Sequence, residues 1–197
     1  MTLKETGWHC IHEMKITKLI YVKNRNGWRE WLGKNHDIEK DVWLIYYKKH
    51  SGKERIPYND AVEEALCFGW IDSTVKTIDG EKYAQRFSPR NSKSVMSEMN
   101  KERARRLIKQ GKMTKFGLER IKHHHESINS KFEIPGKILK ELRKDKDIWR
   151  NFQKFPKSYK RIRIGWIAMT KNPATYKQRL KYFLKKTKEN KKFGMIQ

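Results

Sequence analysis

Several features of secreted and membrane proteins are scarce in this sequence. Its 197 residues include two cysteines, Cys10 and Cys67, which are too few for a disulfide framework. No N-terminal apolar run has the length of a signal peptide, and no window has the length and hydrophobicity of a membrane span. These features predict a cytoplasmic protein without a transmembrane segment. Cys67 lies in an apolar stretch and is expected to be a small buried thiol.

Acidic residues are also few, and they are unevenly distributed. The chain has 47 Lys and Arg residues against 22 Asp and Glu, a formal net charge of +25. Residues 1–100 hold 17 of these cations and 14 of the anions, whereas residues 101–197 hold 30 and 8. So large an excess in one half predicts a polyanionic partner, such as nucleic acid or an acidic membrane surface. The alternative is that the lysines are only the solvated faces of helices.

The N-terminal half alternates between strand and helix patterns. Residues 18–22 and 42–47 are rich in β-branched and aromatic side chains, which favour strands. Helices are predicted over residues 26–35 and from Asp60 to Trp70, because apolar residues recur there at steps of three and four. We therefore predict an α+β fold, with a small, mostly antiparallel sheet that carries helices on one face.

The stretch of residues 65–90 combines the end of a helix with a hairpin. Asp79-Gly80 is a strong turn signal with alternating residues on both sides. Pro89 ends the second strand because it has no N–H to donate to a sheet. On these two strands, Asp72 and Arg86 are predicted to form a salt bridge that fixes the hairpin against the preceding helix.

The C-terminal half shows only helical patterns. A helix capped by Ser94 or Ser97 is predicted to stop at Gly111, and a second helix begins at Thr114. The next four helices are predicted over residues 135–144, 145–154, 156–170 and 173–188. Two apolar stripes are expected to pack together: Tyr159, Ile162, Trp166 and Met169, and then Tyr176, Leu180, Phe183 and Leu184. The predicted organisation is a loose lead-in (1–16), an α+β domain (17–126), a linker (127–134), an all-helical C-terminal bundle (135–190) and a basic tail (191–197).

Several motifs resemble one protein family. They are ALCFGWID, QRFSPR, the spacing of Ser94, Ser97 and Asn100, the segment Gly111-Lys112-Met113-Thr114, Gly165-Trp166-Ile167, and Thr175 with Arg179. Together they resemble the YdeI/OmpD-associated family, also called bacteriocin-protection proteins, over about Leu19 to Lys188. The resemblance implies a role in envelope defence without a defined biochemical activity. The chain departs from the family at Ala174 and Tyr176, where an acid and an arginine are expected.

A candidate anion site surrounds the hairpin. Arg90 and the free N–H groups of a helix beginning near Ser94 are both suited to bind phosphate or carboxylate. The residues of this predicted anion cluster are Trp70, Asp72, Arg86, Ser88, Arg90, Ser94 and Asn100. The alternative is structural, with a buried Asp–Arg pair and Trp70 as a core residue.

Signals for catalysis, cofactors and metals are weak. The sequence has no recognisable nucleophile–base pair and no phosphate-binding loop, so no catalytic residue and no cofactor is predicted and an enzyme is not favoured. His9, Cys10 and His12 offer three ligands to a soft metal, but no fourth ligand is evident. The three histidines of residues 123–125 point in different directions on a helix. We therefore predict no metal site.

The last predicted helix carries a row of lysines opposite its apolar side. Lys177, Lys181, Lys185 and Lys188 are expected on the outer side, and Lys191 and Lys192 extend the charge into the tail. This arrangement predicts a cytoplasmic, non-enzymatic protein that binds nucleic acid or another polyanion. One alternative is a stress- or bacteriocin-protection factor acting through protein contacts, as the resemblance implies. The other is a binder of, or an enzyme acting on, a small anionic ligand at an Arg86/Arg90 pocket.

Overall fold

The structure, a computed structural model, describes residues 15–194. His9, Cys10, His12 and the rest of the predicted lead-in up to residue 14 lie outside the described residues, as do residues 195–197 of the predicted tail. The described chain divides into two units. The sheet unit comprises residues 15–62 and 71–89, and the helical unit comprises residues 63–70 and 90–194. The predicted α+β class is confirmed.

A four-stranded mixed sheet in the order β1, β2, β4, β3 forms the centre of the sheet unit. The strands are β1 (Leu19–Ile20), β2 (Val42–Tyr47), β3 (Trp70–Thr77) and β4 (Lys82–Pro89). β1 runs parallel to β2, with Leu19 opposite Trp43. β2 runs antiparallel to β4, with Val42 opposite Phe87. Because β2 is apolar along nearly its whole length, it occupies an interior position in the sheet.

The predicted hairpin forms between β3 and β4. Asp79 stabilises its turn, since its Oδ1 accepts hydrogen bonds from the backbone N–H groups of Glu81, at 2.8 Å, and Lys82, at 3.0 Å. These bonds hold the pKa of Asp79 below its usual value. The turn chemistry predicted from Asp79-Gly80 is therefore confirmed.

Trp28 links a helix of the sheet unit to the sheet. The first two α-helices among the described residues are α1 (Arg25–Asn35) and α2 (Tyr58–Cys67). Asn24 caps α1 by accepting a hydrogen bond from the N–H of Gly27 at 3.0 Å. Trp28 is buried, donates its indole N–H to the carbonyl of Ala61 at 3.0 Å, and lies 5.3 Å from Phe87 between ring centroids. The apolar face predicted for α1 therefore packs on the sheet.

Short helices build the helical unit. They are α3 (Glu98–Lys109), α4 (Lys115–Ile121), α5 (His125–Asn129), α6 (Gly136–Arg143), α7 (Lys146–Lys154), α8 (Lys157–Ala168) and α9 (Pro173–Lys188). Ser97, Thr114, Asp145 and Asn172 each accept a backbone N–H bond at a helix start, as predicted. α5 ends at Asn129, three residues into the predicted linker.

The core of the last four helices is aromatic and aliphatic. Its buried members are Ile138, Leu142, Ile148, Phe152, Phe155, Tyr159, Ile164, Ile167 and Phe183. Tyr176, Leu180 and Leu184 pack against this cluster, so the stripe predicted for α9 is confirmed. Met169 was expected on the inward stripe of α8 but is 50% exposed, because α8 ends at Ala168 and Met169 is its C-cap. No helix within residues 15–194 is long and apolar enough to cross a membrane.

Candidate anion-binding surfaces

The lysines of α9 lie on one exposed side of the helix. Asn172 accepts hydrogen bonds from the N–H groups of Ala174, at 2.9 Å, and Thr175, at 3.1 Å, and so sets where α9 begins. Phe183 is fully buried on the inward side. Four exposed residues then form what we call the lysine ridge: Lys177, Lys181, Lys185 and Lys188. Their predicted outward placement is confirmed.

Most of the ridge charge has no acid beside it. Lys188 pairs with Asp145 at 2.8 Å, which raises the pKa of Lys188 and holds the pKa of Asp145 below its usual value. Among residues 15–194, no acid forms a salt bridge with Lys177, Lys181 or Lys185, although the charge of Lys185 adds to that of Lys186 in lowering the pKa of Glu189. The ridge therefore presents a nearly uncompensated positive charge to solvent.

The two tail lysines are also exposed. Lys191 lies 3.8 Å from Glu189, a carboxylate that Lys186 already approaches at 2.9 Å. Within the described chain, no acid pairs with Lys192. The tail therefore adds charge beyond the end of α9, as predicted.

The predicted salt bridge between Asp72 and Arg86 is wrong. Arg86 donates instead from Nε, at 3.2 Å, and Nη2, at 2.7 Å, to Oδ2 of Asp41. Asp72 accepts a hydrogen bond from the hydroxyl of Tyr58 at 2.7 Å. The physical reason is topological: β4 lies next to β2 as well as β3, and Arg86 faces Trp43, two residues after Asp41. Because Asp41 already neutralises the Arg86 guanidinium, Arg86 attracts a further anion less strongly.

The ion pair of Asp41 and Arg86 predicts a pH-dependent contribution to stability. Burial alone raises the pKa of Asp41, but the hydrogen bonds from Thr17 and Arg86 outweigh it, and the pKa lies below its usual value. A lowered pKa stabilises the folded state above the unfolded-state pKa of about 4, and this contribution disappears as the pH falls through the folded-state pKa. At pH 7, Asp41→Asn should lower the free energy of unfolding by about 1–2 kcal/mol, measured by urea denaturation.

Asp37→Asn is the matched control for this measurement. Asp37 is exposed, and no ion pair within residues 15–194 includes it, so this variant should unfold like the wild type. The difference between Asp41→Asn and wild type should shrink below about pH 4. A difference that stays constant from pH 7 to pH 3 would contradict the assigned role of the carboxylate.

Arg90 is a buried residue of the predicted anion cluster that forms no salt bridge within the described part of the chain. Its side chain is only 1% exposed, and Nη2 donates to the carbonyls of Ser94, at 3.4 Å, and Val95, at 2.9 Å. Nε and Nη1 have no partner among the described residues. Burial lowers the pKa of the Arg90 guanidinium, and it also lowers that of His124, whose ring lies near this charge. Arg90 is thus a buried cation held by backbone carbonyls.

Of the two caps predicted for this helix, Ser94 and Ser97, the structure has Ser97, so the helix start used in the anion-site prediction does not lie at Ser94. Ser97 caps α3, and its Oγ accepts the N–H of Asn100 at 3.3 Å. Ser94 lies in the preceding turn, where its hydroxyl donates to the carbonyl of Asn91 at 2.7 Å. The Oδ1 of Asn100 accepts a hydrogen bond from Arg103 at 2.9 Å. Ser94 therefore offers no helix N-terminus to an anion, because the local Asn91 turn precedes the cap.

The predicted anion cluster is divided between the two units. Asp72, Arg86 and Ser88 belong to the sheet unit, and Trp70, Arg90, Ser94 and Asn100 belong to the helical unit. Trp70 is buried, in line with the structural alternative, and Ser88 is half-buried in β4. Within residues 15–194, no three His, Cys, Asp or Glu side chains are grouped to hold a metal ion.

A pocket in the helical unit was not predicted from the sequence. It has a volume of about 570 Å³ and is lined by Arg163, Trp166, Thr175, Gln178, Arg179, Tyr182 and Phe193. We call it the arginine pocket. Arg163 was missed because one arginine among the apolar and basic residues of α8 gives no local sequence signal that it is buried. The sequence does contain one usable signal, Asn190, because asparagine is common in the left-handed conformation that ends a helix. In the structure Asn190 has a φ of 51°, and the chain turns there so that Phe193 returns to the bundle.

Two family models match separate parts of the chain. Residues 20–120, which contain the ALCFGWID and QRFSPR motifs, match a family described as a domain of unknown function, DUF8412. Residues 131–190, which contain α6 to α9, match the family described as Bacteriocin-protection, YdeI or OmpD-Associated. The second match confirms the predicted family resemblance for residues 131–190, whereas the N-terminal motifs used for that prediction lie in the DUF8412 match. No curated protein and no solved structure gives a significant match. The first model covers just over half of the residues, so the chain belongs to the DUF8412 family and carries a YdeI/OmpD-associated domain in its C-terminal part.

Proposed function

We propose that this protein binds nucleic acid or another polyanion through its basic C-terminal helices, without catalysing a reaction. One observation carries the proposal: four exposed lysines line one side of α9, and three of them form no salt bridge among the described residues. Repulsion between like charges at such spacing costs a few tenths of a kcal/mol per pair, and a bound polyanion relieves that cost.

The dimensions of the lysine ridge suit a phosphate backbone. Lys177 and Lys188 are 11 residues apart, which is about 16 Å along a helix axis at a rise of about 1.5 Å per residue. That is the axial length of about five base pairs of duplex DNA. Flexible ammonium groups spaced along such a line bind phosphates without reading the bases. The expected partner is therefore recognised by charge rather than by sequence.

The test is salt-dependent binding to a mixed-sequence DNA duplex. The wild type should bind with micromolar or tighter affinity at low salt, and the affinity should fall steeply as salt rises. Replacing the four ridge lysines with glutamine should weaken binding at least tenfold. It should also flatten the slope of log K against log salt by about 0.9 for each phosphate that the variant no longer neutralises. Fluorescence anisotropy of labelled DNA across a salt series measures both quantities.

A second quadruple variant provides the matched control. Lys137, Lys140, Lys146 and Lys154 are exposed on α6 and α7, and replacing them with glutamine removes the same four charges. This control should keep most of the affinity and most of the salt slope. If the two variants weaken DNA binding equally, the ridge contributes only through the net charge of the protein and is not the binding site. No salt-dependent binding by the wild type would exclude the proposed function.

A second candidate function is favoured by the match of residues 131–190. That family is described as bacteriocin-protection, which suggests a protective role through protein contacts. Cells that express this protein should then survive bacteriocin exposure better than cells without it, and the lysine-ridge variant should protect equally well. Loss of protection in the lysine-ridge variant would instead indicate that protection depends on polyanion binding by the ridge.

The proposed location is the cytoplasm. Cys67 is a buried free thiol, and such a thiol is typical of proteins kept in a reducing compartment. Fractionation of cells expressing the full chain tests this part of the proposal, and recovery with the envelope fraction would contradict it.

A further inference from the structure

The arginine pocket holds two cations and no acid. Of the seven residues that line it, two are arginines and none is Asp or Glu. Within the described chain, no carboxylate pairs with Arg163 or Arg179. The other polar groups of the lining include the amide of Gln178 and the hydroxyl of Tyr182. The pocket is thus rich in hydrogen-bond donors and carries an uncompensated positive charge.

Aromatic rings and backbone carbonyls hold both guanidinium groups in place. Cζ of Arg179 lies 4.8 Å from the ring centroid of Trp166, and its Nη1 donates to the Trp166 carbonyl at 2.6 Å. Cζ of Arg163 lies 4.3 Å from the ring centroid of Phe193, and its Nη2 donates to the Phe193 carbonyl at 2.6 Å. Each guanidinium lies near an aromatic ring and donates to a backbone carbonyl, and Arg163 also hydrogen-bonds to the side chain of Tyr159. The other N–H groups of the two side chains are therefore preorganised rather than mobile.

Arg163 is also an incompletely satisfied buried cation. Its side chain is only 5% exposed, and its Nε has no hydrogen-bond partner among the described residues. A buried charge without a counter-ion is costly, and that cost is relieved when an anion binds beside it. The arginine pocket therefore differs from an exposed basic surface, because one of its two positive charges is buried.

The charge and the volume together define the class of ligand. Two guanidinium groups match the two negative charges of a phosphate monoester better than the single charge of a carboxylate. A cavity of about 570 Å³ is in the size range of organic ligands and much larger than an inorganic phosphate ion. Tyr182 is 44% exposed beside the arginines and offers a ring to the organic part of the ligand.

We propose that the arginine pocket binds a small organic phosphate ester, with the phosphate group between Arg163 and Arg179. This site is separate from the lysine ridge, since none of the four ridge lysines lines it. The ligand is recognised by its phosphate charge and by the fit of its organic part.

The test is calorimetric titration of the full chain with AMP, ribose 5-phosphate, inorganic phosphate and adenosine. At least one of the two esters should bind with 1:1 stoichiometry and more tightly than inorganic phosphate, and adenosine should not bind. Arg179→Gln removes charge-assisted hydrogen bonds and should weaken binding of that ester at least roughly tenfold. Tyr182→Leu should weaken the binding of the ester more than it weakens the binding of inorganic phosphate.

Lys177→Gln is the matched control, because it removes one charge from the same helix outside the pocket lining. It should change ester affinity less than about twofold, since an exposed charge is screened by salt. The inference is overturned if neither ester binds at millimolar concentration, if adenosine binds as well as AMP, or if the two charge variants weaken ester binding equally. The lysine-ridge variant should still bind the ester, so failure of DNA binding and failure of this pocket are distinguishable.

Discussion

Gly117→Ala is expected to destabilise the helical unit by about 2–4 kcal/mol. Gly117 lies in the first turn of α4, directly against the backbone at the end of α2. A Cβ atom at this position would lie 2.1 Å from the carbonyl oxygen of Cys67 and 2.7 Å from its carbonyl carbon. Because the obstacle is backbone rather than the end of a flexible side chain, one of the two helices must move.

The movement would also break hydrogen bonds. The Cys67 carbonyl accepts two bonds from Thr114, one from its N–H at 3.0 Å and one from its hydroxyl at 2.7 Å. Thr114 also caps α4 by accepting the N–H of Gly117 at 3.1 Å. Overpacking costs about 1–3 kcal/mol, and each broken bond adds about 1 kcal/mol. The higher helix propensity of alanine offsets only about 1 kcal/mol of this loss of stability.

Gly33→Ala is the matched control for Gly117→Ala. Gly33 also lies within a helix, but a Cβ there meets no atom within 4 Å. This variant should be unchanged or more stable by up to about 1 kcal/mol, measured in the same urea denaturation series. If Gly117→Ala unfolds at the wild-type urea concentration, the close approach of α4 to Cys67 is wrong.

Local signals explain which parts of the fold could be predicted from the sequence. Asp145 and Asn172 each cap the helix that follows them, and Asp79-Gly80 closes a hairpin between neighbours in sequence. Such signals act within four residues, so a single sequence contains all the information they need. The bounds of α9 were therefore predicted to the residue, and those of α6 to α8 within two residues.

Pairings between distant residues could not be predicted in the same way. Arg86 has acids before and after it in the chain, and only the strand order decides that it meets Asp41, 45 residues away, rather than Asp72. The arginine pocket joins Arg163 to Phe193, which are 30 residues apart. Composition and periodicity show which side chains are polar, but they do not show which of them meet.

The two sites proposed for the helical unit would use its positive charge in different ways, which the net charge does not distinguish. The lysine ridge is exposed, so its attraction for a polyanion is strong only at low salt. The guanidinium of Arg163 is buried near the ring of Phe193, so the binding proposed there should depend on geometry and should be screened less by salt. The two proposed sites should therefore respond differently to ionic strength.

Phe193→Ala is expected to lower the free energy of unfolding of the helical unit by about 2–4 kcal/mol, measured by urea denaturation. Its ring centroid lies 4.8 Å from that of Tyr182, 5.8 Å from that of Trp166 and 6.5 Å from that of Phe183. All three ring pairs have edge-on geometry, which stabilises aromatic pairs beyond the area they bury. The guanidinium of Arg163 lies over the same ring, so the variant also removes a cation–π interaction.

Phe193 lies in the segment that the sequence predicts as a basic tail. Variants at positions 192 and 193 therefore test whether the loss of stability is specific to the Phe193 ring. After α9 the N–H of Asn190 donates to Thr187 and the N–H of Lys191 to Lys186, which turns the chain back toward the bundle. Lys192→Ala, a change at an exposed neighbour, should leave the unfolding curve unchanged. Phe193→Leu should fall between the wild type and Phe193→Ala, because leucine keeps apolar volume but has no aromatic ring. Equal stability of Phe193→Ala and Lys192→Ala would show that this segment contributes nothing to the fold of the bundle.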